Sequence, residues 1–270
     1  MTAISGIRTH IFIGDLELLR CPECRVAYVR DSHLSRATIV LPDPGGVLYR
    51  RFEPGDAVTI RMGYRYQEPD EWQGTVSHLA PPDKKDQIAV RAVGLERALS
   101  ETPILQSWVD ETPEKIITWA LNQTGLPVGQ IGSPGVSFPR FTASNITVWQ
   151  VARQCEHTCT HGHGIDMAGW ELWMDRSGNI HWNAGDEDAD LPVIETGRNL
   201  IRHLPAPDNK PGRGSIEALL IAGLRRRMQI RLIDRYREID QAISPFCVEH
   251  VLKPEATRTF MQYGVAHEKF

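Results

Sequence analysis

"GDAVTIRMGYRYQEPDEWQGTVSHLAPPDKKDQIAVRAVG", from Gly55 to Gly94, is built of short runs in which apolar and polar residues alternate. That period of two marks half-buried strands, because successive side chains of a strand point to opposite faces. A second stretch, "LRRRMQIRLIDRYREIDQAISPFCVEHVLKPEATRTFMQYG" from Leu224 to Gly264, reads alike. Ile60-Arg61 matches Ile230-Arg231, Arg65-Tyr66 matches Arg235-Tyr236, Val76-Ser77-His78-Leu79 matches Val248-Glu249-His250-Val251, and Gly94 matches Gly264. Four matches in order at an offset of 170 to 172 residues mark an internal duplication. Pro81-Pro82-Asp83 and Lys253-Pro254-Glu255 supply turns between the strands.

Upstream of the first copy, "HIFIGDLEL", "CRVAYVR" and "RATIVLP" read as further strands, and "NLIRHL" and "GSIEALLI" play that part before the second. The fold class expected is β-rich α+β. Two similar small antiparallel β-barrels, at 1–98 and 195–270, are separated by a mixed α/β insert at 99–194. In the insert, "DETPEKIITWALNQTGL" predicts a helix with Asp110 or Thr112 as N-cap, Pro113 in its first turn and Gly125 as its stop. "NITVWQVARQCEH" predicts a second, with Val148, Val151, Ala152 and Cys155 on one face. "GWELWMDRSGNIHWNAG" reads as a hairpin turning at Asp175 to Asn179.

The 270 residues are 41% hydrophobic and 24% charged, a globular rather than a disordered composition. A net charge of −4 and a pI of about 6.2 argue against a general nucleic-acid binder, and "RRR" at Arg225 to Arg227 reads as a solvated strand end. No run approaches the roughly 18 apolar residues of a membrane span, and Arg8 and His10 break up the start where a signal peptide is apolar. Five cysteines in this length do not make a disulfide scaffold, so synthesis in a reducing cytoplasm is expected.

The succession "FEPGDAVTIRMGY", "WQGTV", "TPEKIITWALNQTGL", "TVWQVARQC", "ELWMDRSGNIHW" and "RMQIRLID…FCVEHVLKPEATRTFMQYG" spans most of the chain. It resembles the phage baseplate and tail hub family, which includes the late control D proteins of contractile-tailed phages. The resemblance implies a structural virion protein of the tail or baseplate, made in the bacterial host, and not an enzyme. It implies a homotrimer whose paired barrels form a pseudo-sixfold ring. Such a ring seats the sixfold tail tube or a distal tail protein on one side and a threefold tip or spike on the other. DNA and the tape-measure protein would pass through its lumen. A threefold object matches a sixfold partner only by offering two near-equivalent faces per subunit, which a duplication provides. The matched strands are then the candidate subunit and tube interface: Val58, Thr59, Ile60 and Arg61 with Gln229, Ile230, Arg231 and Leu232, and Val76, Ser77, His78 and Leu79 with Val248, Glu249, His250 and Val251.

"CEHTCTHGHG" at 155–164 places Cys155, His157, Cys159, His161 and His163 at alternate positions, all of metal-binding types. In an extended chain His157, Cys159, His161 and His163 share a face; in a helix Cys155/Cys159 and His157/His161 are four apart. With Cys21 and Cys24 of "CPEC", at a metal-knuckle spacing, they could complete a structural zinc or iron site. Reduced buried cysteines beside a polar turn are the other reading, and the sequence leaves both open. A metal-dependent cell-wall hydrolase of the tail is the alternative function, with Glu156 and Asp166 as the nearest carboxylates, but no H-E-x-x-H is present. "DEDAD" at Asp186 to Asp190 lacks the Gly and Glu of a calcium loop, "PGRGS" at Pro211 to Ser215 lacks a phosphate-loop ending, and no G-x-S-x-G occurs.

Overall fold

The computed structural model describes residues 6–18, 23–29, 32–80, 86–183, 191–206, 212–226 and 228–264. Cys21, Pro81-Pro82-Asp83, the Asp186 to Asp190 run, Pro211 and Arg227 lie outside them. The chain forms two compact units, Met1–Gly94 with Glu187–Phe270, and Leu95–Asp186.

The first copy contributes β1 (Ile7–Ile13), β2 (Leu16–Leu18), β3 (Glu23–Val29), β4 (Arg36–Pro42), the short helix α1 (Val47–Arg51), β5 (Ala57–Tyr64), β6 (Asp70–Ala80) and β7 (Gln87–Gly94). The alternation read from sequence is realised side by side: Cys24, Val26 and Tyr28, Ile39 and Leu41, Val58 and Ile60, and Val90 and Ala92 all point into one core. β5, β6 and β7 form an antiparallel meander. Gly74 is required where β6 crosses β7, since a Cβ there would lie 2.2 Å from the Val93 carbonyl oxygen.

The second unit holds α2 (Arg97–Glu101), β8 (Pro103–Glu111), α3 (Pro113–Asn122), β9 (Val128–Ile131), β10 (Phe138–Thr147), α4 (Val148–His163), β11 (Glu171–Met174) and β12 (Ile180–Asn183). Both expected helices and the β11–β12 hairpin are present, with Thr112 as the N-cap of α3. Sequence reading missed the long pair β8–β10. Helix α4 is capped at both ends, by a capping box of Thr147 and Gln150 and by Gly164 in the left-handed conformation. Its inward face packs with α3 on Trp182, whose indole N–H donates to Glu156 at 3.1 Å.

The chain then returns to the first unit with β13 (Val193–Glu195), β14 (Leu200–Leu204), β15 (Arg213–Leu219), β16 (Ile230–Asp234), β17 (Ile239–Ile243), β18 (Cys247–Leu252) and β19 (Arg258–Gly264). The strands of the two copies do not form separate hydrogen-bonded sheets. They share one of eleven strands, ordered β14-β15-β19-β18-β3-β4-β7-β6-β5-β1-β2, and a single buried core. Among the described strands of the two copies, β13, β16 and β17 stand in a separate sheet. The duplication shows in matching rows: Cys24, Ile39, Val90 and Leu79 run across β3-β4-β7-β6, and His203, Ile216, Met261 and Val248 run across β14-β15-β19-β18. β6 bends at a register shift between Val76 and His78, whereas its counterpart is cut by Ser244-Pro245-Phe246 into β17 and β18.

Under β14 lies a buried polar chain. His203 Nδ1 meets Asp234 Oδ2 at 2.7 Å, His203 Nε2 meets the Tyr263 hydroxyl at 2.6 Å, and Arg237 donates to Asp234 at 3.0 Å. Burial raises the Asp234 carboxyl, but the hydrogen bonds and charges of His203 and Arg237 outweigh it and hold the group below its ordinary 3.8. A depressed folded value stabilises the fold in full above the unfolded one, and the contribution is lost as pH falls through the folded value. Asp234→Asn is therefore expected to cost about 2 kcal/mol or more at neutral pH. Urea titrations at stepped pH check it, and the variant should lose less stability than wild type as pH falls below 3.8.

Candidate functional site

The two copies meet where β18 pairs antiparallel with β3, from Cys247 opposite Val29 to Leu252 opposite Cys24. Beside this joint, Arg225 is buried. Its guanidinium lies 3.7 Å from the Asp70 carboxylate, donates to the Glu71 carbonyl at 3.1 Å and sits over the Tyr28 ring. Tyr28 in turn meets His250 edge to face, and His250 bonds the Thr259 hydroxyl at 3.0 Å and the Leu224 carbonyl at 2.8 Å. Full burial lowers the His250 pKa and keeps the ring neutral. The solvated strand end expected at "RRR" is thus corrected: Arg225 is 7% exposed, and Arg226 donates to the Val29 and Ser32 carbonyls. Two copies of one motif are locked by a buried charge that no local sequence rule identifies.

The strands singled out by the duplication occupy different positions around this joint. Val58, Ile60, Ile230 and Leu232 are buried, with Gln229 partly so just ahead of β16. Thr59 and Arg61 lie on the other face of β5, where Arg61 pairs with Glu71 at 2.6 Å. Arg231 makes a two-pronged pair with Asp240 at 2.8 Å. Val248, His250 and Val251 are buried and Glu249 reaches Arg25, so both edges of β18 are filled inside the chain, by β19 and β3. Val76 still bonds Gly55 and Asp56, but beyond it Ser77, His78 and Leu79 have β7 on one side and no strand on the other among the described residues. Apart from a single bridge from Thr196 to Leu200, β14 has no strand on one side among the described residues, and it presents Ile201 and Leu204 at 44% and 45% exposure.

"CEHTCTHGHG" is helical to His163, which separates its residues. Cys155 and Cys159 are buried in the core of the second unit, while His157, His161 and His163 are exposed. The His157 and His161 rings lie 4.3 Å apart at a tilt of 47°, and His163 leans on Phe138. Cys24 is buried in the core of the first unit. Among the described residues no three His, Cys, Asp or Glu side chains gather as a metal site. Glu156 is engaged by Arg153 and Trp182, and Asp166 accepts the Ala168 N–H. Burial, with Cys159 and Glu156 adding to it, pushes the Cys155 thiol far up; burial, then Glu114 and Glu156, pushes Cys159 up to about 11.

No protein-family model matches the sequence, and no curated protein is similar to it in sequence. The structure has clear relatives. Over 96% of this chain and 97% of the other it superposes on the 43 kDa tail protein of prophage MuSo2 from Shewanella oneidensis, with a TM-score of 0.71 at 10% identity. The tail protein from Neisseria meningitidis MC58 gives 0.67 at 11% identity, covering 97% of both chains. The fold is that of phage tail proteins. The Escherichia coli c3393 protein, a type VI secretion component described as structurally similar to the T4 tail proteins gp27 and gp5, matches at 0.66, with 9% identity over 96% of this chain and 77% of that one. No described helix of this tail-protein fold is long and apolar enough to cross a membrane.

Arg225→Ala leaves the Asp70 carboxylate buried without its cation, and is expected to cost about 3–5 kcal/mol in chemical denaturation. Cys155 and Cys159 should resist a disulfide reagent at pH 8 in the native protein and react only on unfolding, as mass spectrometry of the labelled thiols reads directly.

Proposed function

We propose that the chain is a structural tail component, a homotrimeric hub whose ring of six repeats adapts a sixfold tube to a threefold tip. The observation that carries this reading is the β18–β3 joint. The run β14-β15-β19-β18-β3-β4-β7-β6 is one four-strand set followed by another, in the same order and strand direction. Whatever rotation relates the sets within a chain can be applied again, and it then brings β14 of one copy to the far end of β6 in the next. Those are the open edges. An open strand that also exposes Ile201 and Leu204 is an aggregation hazard in a monomer and a ready interface in an oligomer. Three chains then give six near-equivalent sets around one axis. Tube or distal tail protein on one side, tip or spike on the other, and DNA with the tape measure in the lumen follow as the partners of such a ring in the virion tail.

Light scattering should find three times the 30.4 kDa chain mass for the wild type. Ile201→Lys with Leu204→Lys, placed on exposed positions so that folding is spared, should give a folded monomer. A wild-type monomer at every concentration, or a lysine variant that still trimerises, sinks the reading.

A further inference from the structure

Among the exposed large hydrophobic side chains of the described residues there is one tryptophan, Trp119, at 38% exposure on the outer side of α3. It stands in a groove of about 360 Å³ lined by Glu114, Lys115, Thr118, Trp119, Asn122 and, from β9, Ile131. Helix spacing explains the lining. Glu114, Thr118 and Asn122 are four apart and form one row of α3, and Lys115 and Trp119 form the next. The indole is held in place without a ligand, because it meets the Trp108 ring edge to face at 5.4 Å and Trp108 rests on Phe141. A ring fixed in advance loses little freedom when something stacks on it.

The polar groups beside the ring are of mixed kind. The Asn122 amide and the Trp119 indole N–H have no hydrogen bond among the described residues. The Thr118 hydroxyl donates to the Glu114 carbonyl at 2.7 Å, which leaves its oxygen lone pairs as acceptors. The Lys115 side chain is 70% exposed, and its ammonium meets Glu111 at 3.1 Å with N–H donors to spare. The Glu114 carboxylate is already committed, one oxygen to the Ser133 hydroxyl at 2.9 Å and the other shielded from solvent.

These groups select the chemistry of a ligand. An anion would meet the Glu114 carboxylate, which has no ion pair among the described residues. A cation would meet the Lys115 ammonium, the exposed charge of the groove, and find no free carboxylate oxygen in the lining. An apolar ligand would strip water from Asn122, Thr118 and Lys115 and give nothing back. A peptide helix needs a row of apolar anchors, and Trp119 and Ile131 are the only two in the lining. A neutral sugar ring meets all four conditions. One face of a pyranose is a layer of C–H bonds that packs on an indole, and its rim carries adjacent hydroxyls that both donate and accept. We infer that Trp119 is the stacking platform of a saccharide-binding subsite, with Asn122, Thr118 and Lys115 bonding the hydroxyls of an uncharged hexopyranose. The subsite lies within the second unit and stands whether or not the chain forms the ring proposed above.

The test titrates the full chain with chitotetraose and maltotetraose, both uncharged, and with tetragalacturonate and the fully deacetylated chitosan tetramer, which are anionic and cationic at mildly acid pH. Saturation-transfer NMR and calorimetry should find a neutral tetrasaccharide bound with a Kd on the order of 1 mM, as suits one ring in an open groove. The charged tetramers should bind at least about fivefold more weakly. Trp119→Ala should abolish binding and Trp119→Phe, which keeps a ring face, should retain part of it. Asn122→Ala, at an exposed position that spares folding, should weaken binding by about threefold to tenfold, and Tyr236→Ala, in the other unit, should change nothing. Should Trp119→Ala disturb the fold, the Trp119→Phe and Asn122→Ala variants decide the matter. Failure of both neutral sugars to bind overturns the subsite, and binding untouched by Asn122→Ala puts the sugar elsewhere and overturns the assignment. A charged tetramer held as tightly as the neutral ones overturns the selection by charge.

Discussion

The pairing of β18 with β3 decides what kind of object this chain is. Without it the two copies would be small β domains of seven or so strands, each too small to bury much apolar surface alone. With it, eleven strands share a sheet, and residues as distant as Ile11 and Met261 belong to one core. Backbone pairing alone would not fix the register, because strands can slip by two residues without turning a side chain to the wrong face. The Arg225 guanidinium between Asp70 and Tyr28 removes that freedom, since any slip would leave a buried charge unpaired. An insert of some ninety residues can then leave and re-enter the domain, because the joint and not the connection holds the copies together.

Much of this was legible because period-two alternation survives duplication. β5, β7, β16, β18 and β19 all stand where the runs of "AVTIRM", "QIAVRAV", "MQIRLI", "CVEHVL" and "RTFMQY" placed them. The register was not. The bulge at Val76/His78 in one copy and the Pro245 break in the other interrupt strands that the letter match aligns almost without a gap. A bulge inserts a residue without leaving a compositional trace. Arg225 was misread for a related reason. A basic run is normally solvated, and its partner Asp70 lies 155 positions away in the chain, out of reach of any local pattern.

The Cys/His run shows the opposite case, in which two local rules compete. Alternate spacing suggested an extended ligand face. Helix α4 instead continues through it, because Cys155 and Cys159 supply the next apolar steps after Val148, Val151 and Ala152, and Gly164 provides the only left-handed exit nearby. The 3.6-residue period then divides the five side chains by burial, thiols inward and imidazoles outward. β8 and β10 went unseen because their outward row, Leu105, Ser107 and Val109 beside Arg140, Thr142 and Ser144, mixes apolar and polar residues on the exposed face and blurs the alternation.

Where the polar groups are placed bears on function as much as where the strands are. His203, Asp234, Tyr263, His250, Arg225 and Asp70 have the residue types of an active site, yet every one is buried within the core of the first unit and bonded to a neighbour there. Burial closes them to substrate and makes them fasteners, and the most telling of them is His203, next to the last residue of β14. An edge strand held only by one neighbour frays easily. Anchoring His203 to both β16 and β19 holds the C-terminal half of the strand extended, with its outer hydrogen-bonding groups aligned. Pre-ordering an edge in this way lowers the entropy lost when a second strand adds to it. The chemistry of these side chains therefore goes into holding strands in place, which is what the assembly proposed above requires.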